Sequence, residues 1–242
     1  MSTEVLVVMQ ARMSSTRLPG KVMRPVMGEP MLAQQVKRLQ RARHIDRLVI
    51  ATSDCPDDNV IAELAEILGV HCFRGSLTDV LDRYYRAAEH FGATSVLRTT
   101  ADCPLIDPQV VDTVVDSHIS SGRDYTTNNM PRTWPHGLDI EIMQFAVLEE
   151  AWKNASSQAE REHVTPFIRN NPTRFRLGNC PSPVDNSRFR WTVDEPEDYE
   201  FVCRVYEELY PLNPDFLTGD LLHFLAEHPE VVEINKRHAV SA

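Results

Sequence analysis

A basic segment near the start of the chain combines residue types that bind phosphate groups. MQARMSSTRLPGK, Met9 to Lys21, holds Arg12, Arg17 and Lys21 among three hydroxyl side chains. Guanidinium, ammonium, hydroxyl and backbone N–H groups together form the usual donor set for such anions. We therefore expect an anion site here, the alternative being a solvated basic turn. The segment contains neither a Walker GxxxxGK[ST] loop nor a GxGxxG dinucleotide fingerprint.

Two aspartates farther along the chain have the chemistry of cation ligands. Asp102 lies in RTTADCPLIDP and Asp194 in RWTVDEPEDYE, each just after an apolar run. Carboxylate oxygen suits hard cations such as Mg²⁺. Alternatively, Asp102 shapes a turn and Asp194 caps the next helix. Together with the basic loop, these two aspartates provide the groups found in many phosphate-transfer sites. In such sites carboxylates hold Mg²⁺ against the phosphates, and Arg and Lys neutralise the leaving pyrophosphate.

Alternating apolar runs and helical stripes must position these residues. We predict buried strands at residues 5–9, 48–52, 70–73 and 95–99. The helical spacing of apolar residues between them predicts a mostly parallel, doubly wound α/β sheet. Ligands of such sheets bind beyond the carboxyl ends of the strands. The segments of interest are therefore 10–21, 53–58, 74–79 and 100–107.

The alternation becomes less regular after Gly122. We predict strands at residues 124–128, 138–143 and 189–193. We predict helices at residues 145–155, 160–169 and 199–209. Residues 217–242 are expected to pack as a further helix and then fray. No repeat or low-complexity linker divides the chain, so a single domain over residues 1–242 is expected.

Composition excludes several classes of protein. The chain has 242 residues, of which 42% are hydrophobic and 25% charged, as in a globular domain. A net charge of −10 argues against a nucleic-acid binder. The five cysteines form no CxxC pair, which argues against a zinc site or a disulfide framework. We find no signal peptide and no membrane span, and expect a cytoplasmic protein.

Several motifs in order resemble a known family. ARMSSTRLPGK and VMRPVMGEPML resemble the N-terminal segments of CMP-Kdo synthetases. TADCPLIDP, PHGLDIE, REHVTP and RWTVDEPEDYE resemble the SpsF-type cytidylyltransferases of spore-coat polysaccharide biosynthesis. The resemblance spans about Val5 to Tyr206. It implies a nucleotide-diphospho-sugar transferase-like, Rossmann-like fold, with helices on both faces of a mostly parallel sheet and a small β-containing lobe for dimerisation and the acceptor.

The resemblance also implies that different parts of the chain have different functions. Residues 1–122 would form the nucleotide-binding part, 123–190 the acceptor and dimerisation part, and 191–242 a return strand and C-terminal helices. The implied enzyme is a homodimer that uses CTP and Mg²⁺ to activate an acidic, Kdo- or nonulosonate-like sugar as its CMP derivative. Pyrophosphate is released, and the product serves surface polysaccharide synthesis. No nucleic acid or membrane partner is expected.

Functional residues follow from the matching motif positions. Arg12, Lys21 and Asp102 match catalytic residues, and Asp102 and Asp194 match metal ligands. The nucleotide-binding set would be Ala11, Arg12, Ser14, Ser15, Arg17, Lys21, Arg74, Thr78, Asp79 and Thr100. Ala101 and Cys103 replace the family's Gly and the Glu of the Kdo enzymes. Sialic-acid-type enzymes carry an Asp-x-Asp pair where this chain offers Asp194, Glu195 and, farther on, Asp198, which leaves open whether one or two metal ions bind. Cys103 has no evident partner base, so we expect no covalent intermediate.

The acceptor is expected near PHGLDIEIM and REHVTP. On a strand, Asp139 and Glu141 would project to one face and bind hydroxyls or an ammonium in one pocket. Alternatively, they form the acidic face of an edge strand. His136 is a further acceptor residue or a plain turn residue. Arg161 and His163 would hold an acceptor carboxylate, or else belong to a charged helix face.

Two rival functions remain open from the sequence. One is a nucleotidyltransferase that uses another nucleotide, or a non-sugar acceptor such as a phosphonate. The other is a catalytically silent, nucleotide-binding regulatory subunit. Lys21, Asp102 and Asp194 together argue against a silent scaffold, because nucleotide binding alone would not require all three residues.

Overall fold

The structure, a computed structural model, describes residues 4–239. The strands in this range are β1 (Val5–Gln10), β2 (Pro25–Val26), β3 (Glu29–Pro30), β4 (Arg47–Ser53), β5 (His71–Gly75), β6 (Ser95–Thr100), β7 (Tyr125–Thr127), β8 (Glu141–Gln144) and β9 (Leu177–Asn179). The helices are α1 (Met31–Leu39), α2 (Asn59–Ile67), α3 (Val80–His90), α4 (Pro108–Ser121), α5 (Phe145–Asn154), α6 (Gln158–His163), α7 (Pro166–Arg169), α8 (Pro196–Leu209), α9 (Thr218–Glu227) and α10 (Pro229–Glu233).

Seven strands form one mostly parallel sheet, as predicted. Their order is β5-β4-β1-β6-β8-β7-β9, and β2 and β3 form a separate hairpin. Within the seven-stranded sheet, β8 alone is antiparallel to its neighbours β6 and β7. Strands β1, β4, β5 and β6 are mutually parallel, so their carboxyl ends meet at one edge. The strands of the predicted acceptor part extend this same sheet.

Helices cover both faces of the sheet. Apolar residues of α1, α2 and α4 pack on one face, around Val7 and Met9. Residues of α3, α5 and α7 pack on the other face, around Leu6 and Val8. Because β1 is buried on both faces, its apolar run has no polar alternation.

A third apolar cluster closes the carboxyl edge of the sheet. Helices α8, α9 and α10 pack against Leu18 of the basic loop and Leu105 of the loop after β6. Trp191, the largest member of this cluster, is fully buried. The C-terminal helices therefore hold the loops that follow β1 and β6.

The predicted strand at residues 189–193 is wrong. In place of a ladder there is a single bridge, between His136 and Arg190. The apolar residues at alternate positions, Phe189, Trp191 and Val193, pack into the C-terminal cluster. The backbone N–H groups of Trp191 and Val193 donate to loop carbonyls. Gly137 allows this approach, since a Cβ atom there would lie 2.6 Å from the backbone N of Thr192.

Other predicted boundaries also change. The strand predicted at residues 138–143 begins only at Glu141, so Asp139 lies in a loop. The helix predicted at residues 160–169 is two helices, because Val164 has φ 71° and Pro166 starts a new first turn. Strand β9 and the β2–β3 hairpin were not predicted. The tail forms α9, α10 and a 3-10 turn at Lys236–His238, and residues 240–242 of the predicted fraying end lie outside the described residues.

Candidate active site

The basic loop after β1 folds back on itself at the carboxyl edge of the sheet. The Met13 carbonyl accepts hydrogen bonds from the backbone N–H groups of Ser15 and Gly20, at 2.9 and 3.0 Å. The Met13 N–H donates to the buried carboxylate of Asp58, at 2.7 Å. Gly20 has φ 66°, a conformation that favours glycine, and leads directly into the 3-10 turn of Lys21. These bonds give the loop a defined shape.

Lys21 joins the two aspartates singled out in the sequence. Its Nζ lies 2.9 Å from Asp102 Oδ2 and 2.9 Å from Asp194 Oδ1. It also donates to the Val193 carbonyl, at 2.8 Å. The backbone supports this arrangement, because the Val193 N–H donates to the Asp102 carbonyl at 2.8 Å. Residues far apart in sequence thus converge on one point.

The electrostatics of this cluster follow from partial burial. The side chains of Lys21, Asp102 and Asp194 are 11%, 22% and 19% exposed. Burial lowers the pKa of Lys21, but Asp102 and Asp194 outweigh burial and raise that pKa above its ordinary value. Burial raises the pKa of Asp102, but Lys21 and the Thr100 hydroxyl together bring it below the usual value. Near neutral pH the cluster holds one ammonium and at least one carboxylate.

Arg17 extends the cluster toward solvent. Its guanidinium lies 3.0 Å from Asp194 Oδ1 and 3.1 Å from Glu195 Oε1. The Arg17 side chain is 56% exposed, so it can turn from these carboxylates to another anion at little cost. Arg12 is half-buried, on the side of α3. There its charge adds to burial in lowering the pKa of Arg83.

A buried network lies behind Asp194. Arg190 Nη2 lies 3.1 Å from Asp194 Oδ2 and 2.8 Å from Asp198 Oδ2. Asn235, from the C-terminal segment, donates to Asp198 Oδ1 at 3.0 Å and to the Arg190 carbonyl at 2.9 Å. Sequence reasoning missed Arg190 and Asn235 as site residues. Arg190 stands inside a recognisable motif, but no local pattern signals Asn235.

The remaining predicted nucleotide residues line the neighbouring strand ends. Thr100 donates to Asp102 Oδ1 at 2.5 Å. Arg74 Nε donates to the Ser53 carbonyl at 2.9 Å, and Asp79 caps α3 by accepting from the Asp82 N–H. Ala11 is buried, whereas Ser14 and Thr78 are exposed. The Ser15 hydroxyl accepts a long, 3.4 Å bond from the Leu18 N–H.

Two predicted acceptor residues lie close to the Asp194 network. Burial lowers the pKa of His136, so its imidazole is neutral near pH 7, and its Nδ1 lies 3.4 Å from Arg190 Nη1. Asp139 accepts from Asn129 at 2.9 Å and lies 2.7 Å from Arg132 Nη1. This part of the edge therefore presents polar groups next to Lys21 and the two aspartates.

The other three predicted acceptor residues lie elsewhere. Glu141 is 3% exposed and pairs with Arg98 and Tyr125, so it shares no bonding partner with Asp139 among the described residues. The prediction that both carboxylates project from one strand is wrong, because Asp139 precedes β8. Arg161 Nε bonds to Asp79, at 2.9 and 3.0 Å, and His163 is exposed beside the Val164 turn. Arg161 is thus joined to the predicted nucleotide side.

Cys103 has the properties of a packing residue. It is 3% exposed, and burial together with the nearby Asp102 raises the pKa of its thiol well above the ordinary value. The thiol is therefore protonated near neutral pH and is a poor nucleophile.

Comparison with known proteins identifies the family. The sequence model of the cytidylyltransferase family matches residues 6–215. The chain is 33% identical to the spore coat polysaccharide biosynthesis protein SpsF of Bacillus subtilis, over 94% of this chain and 96% of that protein. It is 26% identical to a 3-deoxy-manno-octulosonate cytidylyltransferase of Chlorobium phaeobacteroides, over 86% of this chain and 99% of that protein.

A solved structure agrees with this assignment. A cytidylyltransferase from Leptospira borgpetersenii superposes with a TM-score of 0.91 at 33% identity, over 96% of this chain and 97% of that chain. None of the helices described between residues 4 and 239 has the length and apolar character needed to cross a membrane. The fold is therefore that of a nucleotidyltransferase, and the chain belongs to the cytidylyltransferase family.

Proposed function

We propose that this enzyme transfers CMP from CTP to an acidic sugar of the Kdo or nonulosonate type and releases pyrophosphate. The observation that carries the proposal is that Asp102 and Asp194 both contact the Lys21 ammonium, with Arg17 also bound to Asp194. Carboxylates and basic groups at one strand edge form the combination required for transfer from a nucleoside triphosphate. The names of the relatives, SpsF and a 3-deoxy-manno-octulosonate cytidylyltransferase, support the substrate class.

The residues present fit one Mg²⁺ ion. The Lys21 ammonium lies 2.9 Å from a carboxylate oxygen of Asp102 and 2.9 Å from one of Asp194. Both carboxylates can therefore contact a single cation. Mg²⁺ in phosphate-transfer sites typically takes one or two carboxylates and completes its shell with water and phosphate oxygens. Asp102 and Asp194 would hold the ion, which when bound would lower the charge on the phosphates and stabilise the charge that develops during transfer.

The chain's own residues supply binding and charge neutralisation. Lys21 and Arg17 border the two aspartates, where they would bind the departing pyrophosphate oxygens, and Arg12 would bind the triphosphate from the α3 side. The acceptor oxygen would attack the α-phosphorus in line. His136 lies beside Arg190 of the Asp194 network, and Asp139 lies beside His136, where the two would bind acceptor hydroxyls. No covalent enzyme intermediate is required.

Pyrophosphate release tests the proposal directly. The purified protein would be incubated with Mg²⁺, with CTP, UTP, ATP or GTP, and with Kdo, a nonulosonic acid or a phosphonate in turn. We expect release with CTP and one acidic sugar, and loss of release in Asp102→Asn. Preference for another nucleotide or for the phosphonate would replace the proposed substrates. No release with any pair, despite CTP binding seen as a thermal shift, would favour a silent regulatory subunit.

The assembly state is a separate part of the proposal. The family resemblance predicts a homodimer, and light scattering coupled to size-exclusion chromatography would measure the mass of the particle in solution. A mass of one chain at micromolar concentration would contradict this prediction and leave the proposed chemistry unaffected.

A further inference from the structure

The second aspartate of the site, Asp194, is supported by residues that the proposed chemistry does not use. Asp198 is 0% exposed and is the centre of this support. Its two carboxylate oxygens accept five hydrogen bonds, from Arg190 Nε and Nη2, the backbone N–H groups of Asp194 and Glu195, and Asn235 Nδ2. A fully bonded, buried carboxylate fixes the groups around it.

We propose that Arg190, Asp198 and Asn235 form a positioning unit for Asp194 and set the affinity of the site for its divalent cation. The inference rests on the proposed function, because it takes Asp194 as a ligand of that cation. None of the three residues needs to touch the cation or the substrates. Their role is to place the Asp194 carboxylate and to keep its charge available.

Charge balance is the first part of the argument. Arg190 is 7% exposed and its Nη2 atom is shared between Asp198, at 2.8 Å, and Asp194, at 3.1 Å. Asp198 binds the guanidinium through two oxygens at 2.8 Å each, which is the stronger geometry. Asp198 therefore neutralises Arg190. Without the Asp198 charge, Arg190 would pair fully with Asp194 and compete with the cation for the same carboxylate.

Backbone placement is the second part. Asp198 Oδ2 accepts from the Asp194 N–H at 3.0 Å and from the Glu195 N–H at 2.9 Å. These bonds fix the main chain at Asp194, which does not end a regular strand. Asp102, by contrast, lies two residues after the end of β6, and the hydroxyl of Thr100, the last residue of that strand, donates to its carboxylate.

The C-terminal segment is the third part. Asn235 is 3% exposed and joins both members of the unit, through Asp198 Oδ1 and the Arg190 carbonyl. The neighbouring Arg237 and His238 pair with Glu197 on the first turn of α8 and hold the segment in place. The last described residues are thus attached to the active site through Asn235.

Manganese binding tests the inference without relying on catalysis. Mn²⁺ replaces Mg²⁺ as a probe, and free Mn²⁺ is measured by electron paramagnetic resonance in the presence of CTP. Residues that orient metal ligands typically change metal affinity about tenfold or more when mutated. We expect such a loss in Asp198→Asn and a smaller loss, of up to about tenfold, in Asn235→Ala. Lys236→Ala is the matched control, because within residues 4–239 Lys236 pairs only with the exposed Glu233.

A double variant tests whether the loss of Mn²⁺ affinity in Asp198→Asn comes from the uncompensated charge of Arg190 or from a general disturbance of the structure. Arg190→Gln with Asp198→Asn removes both charges, so Asp194 is no longer captured by an uncompensated guanidinium. We expect the double variant to bind Mn²⁺ more tightly than Asp198→Asn alone. If Asp198→Asn does not fold, Asn235→Ala and the double variant still provide the test, each with its melting temperature measured.

The outcomes distinguish this inference from the proposed function. Normal Mn²⁺ binding by the unmodified protein, with unchanged affinity in Asn235→Ala and Asp198→Asn, would overturn the inference alone. A double variant no better than Asp198→Asn would overturn the charge-balance argument. No Mn²⁺ binding by the unmodified protein with CTP would overturn both the inference and the assigned metal ligands.

Discussion

Two clusters of ion pairs lie along β6 and differ in one respect. At the carboxyl end of the strand, one ammonium, Lys21, contacts two carboxylates, those of Asp102 and Asp194. Within the strand, one guanidinium, Arg98, pairs with one carboxylate, Glu141, which also accepts from the Tyr125 hydroxyl. We call the first the edge cluster and the second the strand cluster.

The difference shows how the position in the sheet decides the role of a charge. Arg98 and Glu141 are directly opposite each other on β6 and β8, and Tyr125 reaches Glu141 from β7. Neighbouring strands therefore complete the strand cluster, and its charges balance. The edge cluster has strands on one side only, and the exposed Arg17 that also contacts Asp194 can turn away when a further cation binds. We expect mutations in the strand cluster to change stability, and mutations in the edge cluster to change catalysis.

The largest expected effect is on the stability of the strand cluster. Arg98→Met leaves Glu141 buried and unpaired, and breaking a buried pair in this way typically costs about 3 to 5 kcal/mol. The free energy of unfolding, measured by urea denaturation, should fall by that amount. Adding Glu141→Gln to Arg98→Met should recover much of the loss, because no uncompensated charge then remains. A stable Arg98→Met protein with low activity would instead place the strand cluster in catalysis.

The next effect is on turnover, in the edge cluster. Lys21→Ala removes a group expected to stabilise the leaving pyrophosphate, a loss of about a hundredfold or more in turnover. Its melting temperature should change little, because the two aspartates left behind are partly exposed. Pyrophosphate release and a thermal melt measure the two quantities. Lys37→Ala, at an exposed pair with Glu29, is the control. Normal turnover in a folded Lys21→Ala protein would remove Lys21 from the mechanism.

A smaller effect compares one hydroxyl in each cluster. Tyr125→Phe removes a buried donor to a charged group, which typically costs about 2 kcal/mol in the free energy of unfolding. Thr100→Val removes the donor to Asp102 and should lower turnover while changing stability less. Urea denaturation and kinetics on both variants measure the contrast. Equal losses of stability in the two variants would contradict the distinction between the clusters.

The sequence predicted the edge cluster better than the strand cluster. The strands at residues 5–9, 48–52, 70–73 and 95–99 are confirmed, because buried parallel strands are continuous apolar runs. The rule that ligands bind at their carboxyl ends then correctly placed Lys21 near Asp102. Glu141 was interpreted as an acceptor residue, because alternation along β8 does not reveal that Arg98 faces it across the sheet. Its partner comes from a pairing of strands 43 residues apart.

The sequence correctly predicted that Asp194 lies near Lys21 and Asp102, but the strand that was expected to place it there does not form. We expected it to end a strand, but a backbone bond from Val193 to Asp102 and the contacts of Asp198 position it. Asn235 is 37 residues from Asp198 in the sequence, and no periodicity connects the two. Such contacts depend on how the C-terminal helices pack, which the sequence pattern does not specify. The roles of the individual site residues remain predictions.

The smallest effect concerns a buried group that belongs to neither cluster. His118 is 4% exposed, and its Nδ1 lies 3.0 Å from the Thr126 hydroxyl. Burial lowers its pKa to about 4, although Asp124, itself paired with Arg176, acts weakly in the opposite direction. Well above pH 6.5, the ordinary pKa of histidine, the imidazole is neutral in both the folded and the unfolded chain, so it has no effect on stability there.

As the pH is lowered through 6.5, the His118 imidazole takes up a proton in the unfolded chain but stays neutral in the folded chain. The free energy of unfolding should therefore fall as the pH is lowered from 6.5 toward 4, by on the order of 1 kcal/mol between pH 6.5 and 5.5, and this contribution should level off near pH 4. Urea denaturation across this range should show a steeper pH dependence in the unmodified protein than in His118→Gln, since both share every other titrating group. Identical slopes would mean that His118 takes up its proton inside the fold, with Asp124 as the nearest compensating charge. In that case burial alone would not keep this imidazole neutral.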